Sequence, residues 1–224
     1  MDGDTDYATF RDTLSDLAKV NVVTLAHRAT LAFLERLRRA GRLELGRPVT
    51  IVDAGSGYGD LLAAVRRWAN RRGVPAKLVG VDLNPWSAKA AGERWGDDAA
   101  TWVTADVFAY DGPCDVAISS LFTHHLDDAQ AARFLAWMDA RAGVAWFVND
   151  LHRLAFPYYG FALLARLMRW HRFVIHDGPV SIARAFRPED WRALVARAGL
   201  DPQRVRIRRE FPYRLCVSAE GRRP

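Results

Sequence analysis

Val49-Thr50-Ile51-Val52-Asp53-Ala54-Gly55-Ser56-Gly57-Tyr58-Gly59-Asp60 is the stretch that decides the fold of this chain. Its first four residues form a short apolar run rich in β-branched side chains, as in a strand buried on both faces. Three glycines at alternate positions let the backbone turn sharply. Leu61, Leu62, Val65 and Trp68 then continue at helical spacing until Gly73. Strand, glycine loop and helix in that order present main-chain N–H groups at a helix start, where a ligand can lie against them. A dinucleotide fingerprint, G-x-G-x-x-G, would use the same terminus for a pyrophosphate. Here the third glycine falls one position early, and Asp53 stands two residues before the first. A carboxylate there repels a pyrophosphate and pairs with a cationic amino group, so the loop suits a ligand with a positive end.

The alternation continues on both sides. Upstream, Val22, Ala26, Ala29, Phe33, Leu37 and Ala40 predict one helix over Val22–Ala40, stopped by Gly41. Downstream, strands are expected at Lys77–Val81, Thr101–Thr104, Asp115–Ser119 and Val144–Val148. Helices are expected at Pro85–Trp95 and Asp127–Ala140, the first opened by its proline. Strands alternating with helices imply a parallel sheet covered on both faces. The rhythm breaks over Leu151–Phe186, a long aromatic, arginine-bearing stretch expected to be helical over about Gly160–Trp170. It resumes with a helix from Pro188 to Gly199 and an antiparallel pair around Phe211-Pro212-Tyr213. The expected fold class is therefore α/β and Rossmann-like. The divisions are a helical segment over 1–47, a ligand-binding core over 48–150, a helical lid insertion over 151–187, and a last helix and strand pair over 188–224.

Composition narrows the function classes. The chain has 224 residues, half of them apolar and 11% aromatic, which excludes wholesale disorder. Two cysteines, Cys114 and Cys216, supply neither a disulfide framework nor a four-thiolate zinc site, and no metal site is read. Met1–Tyr7 is acidic rather than a basic leader, and the charge-free apolar run Leu154–Ala165 is too short to span a bilayer. A cytoplasmic protein without a transmembrane segment is expected. Of the 32 cations 29 are arginine, and the net charge is +6. That excess is uneven: residues 1–150 carry 17 cations and 20 anions, whereas 151–187 carry six cations and one anion. Basic charge concentrated on the insertion and the terminal strands points to a small, anionic or carrier-bound acceptor arriving from that side. It does not point to a stable nucleic-acid complex.

Two further acids end strands in register with the first. Asp82 closes Val79-Gly80-Val81-Asp82, where a carboxylate can accept both hydroxyls of a ribose. Asp106 follows Thr104-Ala105, where it can accept from an exocyclic adenine amine. Three strand-end acids in this order resemble motifs I, II and III of the class I S-adenosylmethionine-dependent methyltransferases, from about Pro48 to the final strand pair. The resemblance implies a seven-stranded sheet, mostly parallel with its last strand antiparallel, and S-adenosylmethionine as cofactor. It implies that Asp53, Gly55, Ser56, Gly57 and Gly59 hold the methionine portion, Asp82 the ribose and Leu83 the adenine face. Asp106 and the Val107 N–H would read the adenine edge.

The fourth strand runs into Ser119-Ser120-Leu121-Phe122-Thr123-His124-His125, similar to a stretch of small-molecule methyltransferases, some of them encoded beside polyketide synthases. Ser119 or Ser120 is a candidate contact for the methionine carboxylate or amine. His124 or His125, with His152 beyond the next strand, are candidate bases, since imidazole titrates near neutral pH. Asp150, Tyr158, Tyr159, His176 and Arg184 are candidate acceptor-site residues. The implied reaction is O-methylation of a small, largely apolar phenol, quinol or polyketide-like enol, by an oligomer or a monomer. Rival readings are a nucleic-acid methyltransferase and a cofactor-binding relative without transfer activity. The first is disfavoured because Asn84-Pro85-Trp86 follows the second strand rather than the fourth, and no cysteine lies at a cleft position. Nicotinamide chemistry is disfavoured by the loop spacing.

Overall fold

A computed structural model describes residues 6–96, 98–153 and 180–221. The elements are α1 (Tyr7–Val23), α2 (Arg28–Arg39), β1 (Val49–Ala54), α3 (Asp60–Arg72), β2 (Ala76–Asp82), α4 (Pro85–Trp95), β3 (Thr101–Thr104), β4 (Val116–Ser120), α5 (Asp128–Arg141), β5 (Ala145–Leu151), α6 (Pro188–Arg197), β6 (Arg206–Glu210) and β7 (Arg214–Glu220). Local chemistry sets their ends. Gly73 takes φ +64° to close α3, and Asn84 accepts from the Trp86 N–H to open α4 ahead of Pro85. Asp127 and Gln130 form a reciprocal capping box at the start of α5.

Seven strands make one sheet in the order β3-β2-β1-β4-β5-β7-β6. β1 to β5 run parallel, and β7 runs antiparallel to both β5 and β6. All six residues of β1 are buried, as a strand flanked on both sides and covered on both faces must be. One apolar layer joins α2 and α3 to the sheet through Phe33, Leu37, Leu62 and Trp68; Phe33 stacks on Phe147 at 4.5 Å. The other joins α5 and α6 through Phe134, Leu135, Met138 and Trp191. The strand order reverses between β1 and β4, so a crevice opens at their carboxyl ends. Register brings Asp53 beside Gly80 and Ile118, Ser120 beside Asn149, and Leu151 beside Arg214.

The single helix expected over Val22–Ala40 is corrected to two. α1 ends at Val23 and α2 begins at Arg28, with Leu25 at φ +51° between them. The corner is held from outside: the Asn149 side-chain amide on β5 donates to the Ala26 carbonyl at 2.7 Å. Val22 is therefore 67% exposed, while Ala26, Ala29, Phe33 and Leu37 are buried as expected. α1 falls within the helical segment expected over 1–47, although the sequence reading assigns no periodicity to its residues ahead of Val22. Its buried residues, Phe10, Leu14 and Val20, stand among polar ones, and Phe10 and Leu14 join a small satellite cluster with Tyr58 and Ala90. The strand expected at Val144–Val148 extends to Leu151, which puts Asn149 and Asp150 inside β5 instead of beyond it. The expected helix over about 160–170, and the segment 154–179 to which it belongs, lie outside the described residues.

Candidate active site

Main-chain geometry builds the first half of the site. Gly55, Gly57 and Gly59 take φ of +77°, +49° and +74°. A Cβ on Gly55 would collide with the Phe122 ring and one on Gly59 with Trp102, so both positions also require close approach. Gly55 and Ser56 donate to the Val81 carbonyl, which docks the loop on the end of β2. Asp82 then receives the Gly57 N–H at 2.9 Å and the Asn84 N–H at 2.9 Å. Two of its lone pairs remain for a diol. Leu83 beside it is 72% exposed. Asp106 is exposed and accepts from the Phe108 N–H at 3.0 Å, capping the 3-10 turn Val107–Ala109.

Asp53 differs from the other two acids. It is 2% exposed, and its Oδ1 has no hydrogen-bond partner among the described residues. Burial, then the charges of Asp60 and Asp82, push its carboxyl well above the usual carboxylate range. A buried carboxylate with an orphaned oxygen is unfavourable until a cation reaches it. That is the property expected of the end of the loop that faces an ammonium group, and it fits S-adenosylmethionine.

The second half assembles at β4 and β5. Ser119 is fully buried and donates to the Ala54 carbonyl at 2.8 Å, tying the ends of β1 and β4 together. The Ser120 hydroxyl accepts from the Asn149 side chain at 3.1 Å. Leu121 turns at φ +58°, and a 3-10 turn over Thr123–His125 follows. It wraps one carboxylate. Asp150 Oδ1 meets His124 Nδ1 at 2.8 Å and accepts the Leu151 N–H at 2.7 Å; Oδ2 accepts the His124 N–H at 3.0 Å and the Thr123 hydroxyl. Asp150 is 1% exposed, yet His124 and these donors outweigh burial and hold its carboxyl down at about 2. With Asp150 ionised, the contact at His124 Nδ1 is an N–H donated to it, which leaves Nε2 as the ring nitrogen not engaged by Asp150. His125 packs on His124 with ring centroids 4.2 Å apart. Partial desolvation and the neighbouring His124 push His125 down to about 4, so it is uncharged at pH 7.

His124 and His125 face a cleft of about 490 Å³ that Asp127, Arg153, Arg184 and Phe186 also line. Arg184 is exposed at its wall, and Arg153 is paired with Asp190 at 2.6 Å. His152 is not among the lining residues. It is buried, bridges to Phe186 and lies within the field of Arg209, Glu189 and Arg187. Tyr158, Tyr159 and His176 lie outside the described residues. Three participants escaped the sequence reading. Thr123 reads as an ordinary loop residue; Arg214 is one arginine among 29; His27, which pairs with Asp60 at 3.0 Å, sits at the unexpected corner between α1 and α2. No local pattern marks any of them, because each is identified by a partner distant in sequence.

Residues 51–142 match the family model described as a methyltransferase domain. No curated protein sequence matches the chain. Among solved structures, the magnesium protoporphyrin IX methyltransferase of Synechocystis PCC 6803, with S-adenosylhomocysteine bound, is 17% identical with a TM-score of 0.59. The likeness covers 99% of this chain and 90% of that one. A plantazolicin methyltransferase complexed with a pentazolic desmethyl analogue and S-adenosylhomocysteine is 12% identical with a TM-score of 0.67, over 95% and 91% of the two chains. Human N-acetylserotonin methyltransferase with S-adenosylmethionine is 15% identical, TM-score 0.62, over 96% of this chain and 56% of that one. Sheet order and these likenesses make the fold that of the class I methyltransferases.

Proposed function

We propose that this chain, which carries a methyltransferase domain in a class I methyltransferase fold, binds S-adenosylmethionine and methylates a small acceptor, at oxygen. One observation carries the cofactor assignment: the buried, orphaned Asp53 oxygen stands at the start of a three-glycine loop whose Gly57 N–H is locked onto Asp82. In this reading Asp53 and the loop Gly55-Ser56-Gly57-Tyr58-Gly59 hold the methionine end, and Asp82 the ribose. Leu83, Asp106 and the Val107 N–H take the adenine, and Ser119 or Ser120, at the end of β4, is the candidate contact for the methionine carboxylate or amine. Bound there, S-adenosylmethionine supplies an electrophilic methyl group.

The chain's own residues position the acceptor, exclude water and accept one proton. His124 Nε2 takes that proton from an acceptor hydroxyl in the cleft. Asp150 holds the ring's tautomer and orientation and stabilises the imidazolium that forms, as a positioning residue. Thr123 and the Leu151 N–H keep Asp150 ionised and in place. The acceptor class that suits a small cleft beside a histidine base is a phenol, quinol or polyketide-like enol, whose proton is acidic enough for imidazole to remove.

Calorimetric titration with S-adenosylhomocysteine tests the cofactor assignment. Wild type binds in the micromolar range, and Asp82→Ala, which strips acceptors from two loop N–H groups as well as the ribose, weakens binding by more than about tenfold. Absence of wild-type binding sinks the reading. His124→Gln leaves that affinity unchanged while turnover on any identified acceptor falls about 10²-fold or more.

A further inference from the structure

Three carboxylates stand around the glycine loop, and two of them have donors of their own. Asp82, at the end of β2, accepts the Gly57 and Asn84 N–H groups. Asp60, the first residue of α3, accepts from the Asn21 side chain on α1 and meets His27 Nε2, both at 3.0 Å. Asp53, at the end of β1, is the most deeply buried of the three, and its Oδ1 has no partner among the described residues. The strands on either side bring Gly80 and Ile118 beside it, neither with a polar side chain. The charges that act on it, from α3 and β2, are those of Asp60 and Asp82, both negative. His27, which the corner between α1 and α2 supplies to this end of the sheet, is engaged by Asp60. A bare carboxylate in such a place is costly, and before a ligand arrives Asp53 keeps its proton.

A cation brought beside a carboxyl group favours its ionised form. From this arrangement we infer that cofactor binding is coupled to proton release: the ammonium group of the ligand displaces the proton of Asp53, which passes to solvent. The inference deepens the methyltransferase reading and rests on it. Asp53 is then neutral in the empty site and charged in the filled one, and it acts as a lock specific for a ligand bearing an amino group. The sign of the pH effect follows. The bound state holds fewer protons than the free state, so affinity rises with pH, by up to about tenfold per unit where release is complete. The rise begins above about pH 4, the ordinary carboxylate range, and ends where Asp53 of the empty site has lost its proton without help. An adenosine ligand without the amino group does not displace the proton and gains nothing from rising pH.

Calorimetric titration of the full chain with S-adenosylhomocysteine tests this. At matched pH values between about 5 and 8 it is run in buffers of low and of high heat of ionisation, and the difference in heat counts the protons released. In wild type the release reaches at least about half a proton per ligand within that range. 5′-Methylthioadenosine, the same ligand without its amino-acid end, releases less than half as much. Asp53→Asn removes the release on S-adenosylhomocysteine. A wild-type release below about half a proton throughout overturns the inference without any variant having to fold. So does a release with 5′-methylthioadenosine of half as much or more, or one that persists in Asp53→Asn. If S-adenosylhomocysteine does not bind at all, the cofactor reading falls as well; if it binds without releasing a proton, only the coupling through Asp53 is lost.

Discussion

Asp53 is the residue at which stability and function oppose each other. Buried with an orphaned oxygen, it keeps its proton well above the pH at which an unfolded aspartate releases it. The folded state therefore binds more protons than the unfolded chain above about pH 4, and stability falls as pH rises through that range. Asn in its place has no charge to desolvate. Asp53→Asn should raise the melting temperature of the cofactor-free protein at pH 7, by roughly 2–6 °C for about 1–2 kcal/mol relieved, and change it little at pH 4. The same variant should bind S-adenosylhomocysteine about tenfold or more weakly. Scanning calorimetry at the two pH values checks the first part; a destabilised variant at pH 7 would contradict it. Asp150 is the opposite case: equally buried, it is held near 2 by its donors and contributes stability that is lost only as pH falls from about 4 through that value. Two buried aspartates in one site thus differ in sign because one has donors and the other awaits them.

At the scale of elements, α1 decides how the cofactor edge is covered. Phe10 packs edge-to-face on Trp86 at 5.6 Å, Tyr7 donates to Glu93 at 2.6 Å, and the Asn21 side chain donates to Asp60 at 3.0 Å. Those partners belong to α4 and to the first residue of α3, which flank Leu83 and the glycine loop. α1 is joined to the rest of the fold by a satellite cluster and not by either main core layer. Phe10→Ala should accordingly cost about 2 kcal/mol, less than a Phe→Ala change in a main core, and the loss should appear chiefly as faster amide exchange in α1 and weaker cofactor binding. Hydrogen-exchange mass spectrometry distinguishes this from global loss: if exchange in β1 and β4 accelerates equally, α1 belongs to the main cooperative unit. The glycine loop is closely packed, since Phe122 and Trp102 occupy the space where side chains on Gly55 and Gly59 would stand.

For the whole molecule, part of the arginine excess is paired within the described residues. Glu35 gathers Arg38, Arg39 and Arg72, Asp115 takes Arg47, and Asp139 takes Arg204. Arg28, Arg36, Arg94 and Arg133 lie over aromatic rings. Exposed charge on β6 at the sheet edge (Arg206, Arg209) guards against edge-to-edge pairing. A positive total dispersed in this way should bind duplex DNA or tRNA only weakly. In a gel-shift series the apparent Kd should exceed about 10 μM at 150 mM salt and rise steeply with added salt. Tight, sequence-selective binding would restore the nucleic-acid alternative.

The sequence by itself determined whatever depends on near neighbours. The alternation of apolar runs identified β1 to β5 with the helices between them, and the cap chemistry of Pro85, Asp127 and Pro188 set helix starts to within a residue. The strand-end acids Asp53, Asp82 and Asp106 were legible because topology forces parallel strand ends onto one edge, so position along each strand is enough to place them. Tertiary structure alone decided the rest. It chose His124 over His125 as the histidine on a carboxylate, through Asp150, 26 residues away. It divided the N-terminal segment at Leu25, held by Asn149, 123 residues from Ala26. It also buried Arg214 against Thr24, 190 residues distant, without an ion pair among the described residues. Period and propensity register only what lies within a turn or two of the chain. A charge's partner, or the want of one, is a property of the packed molecule.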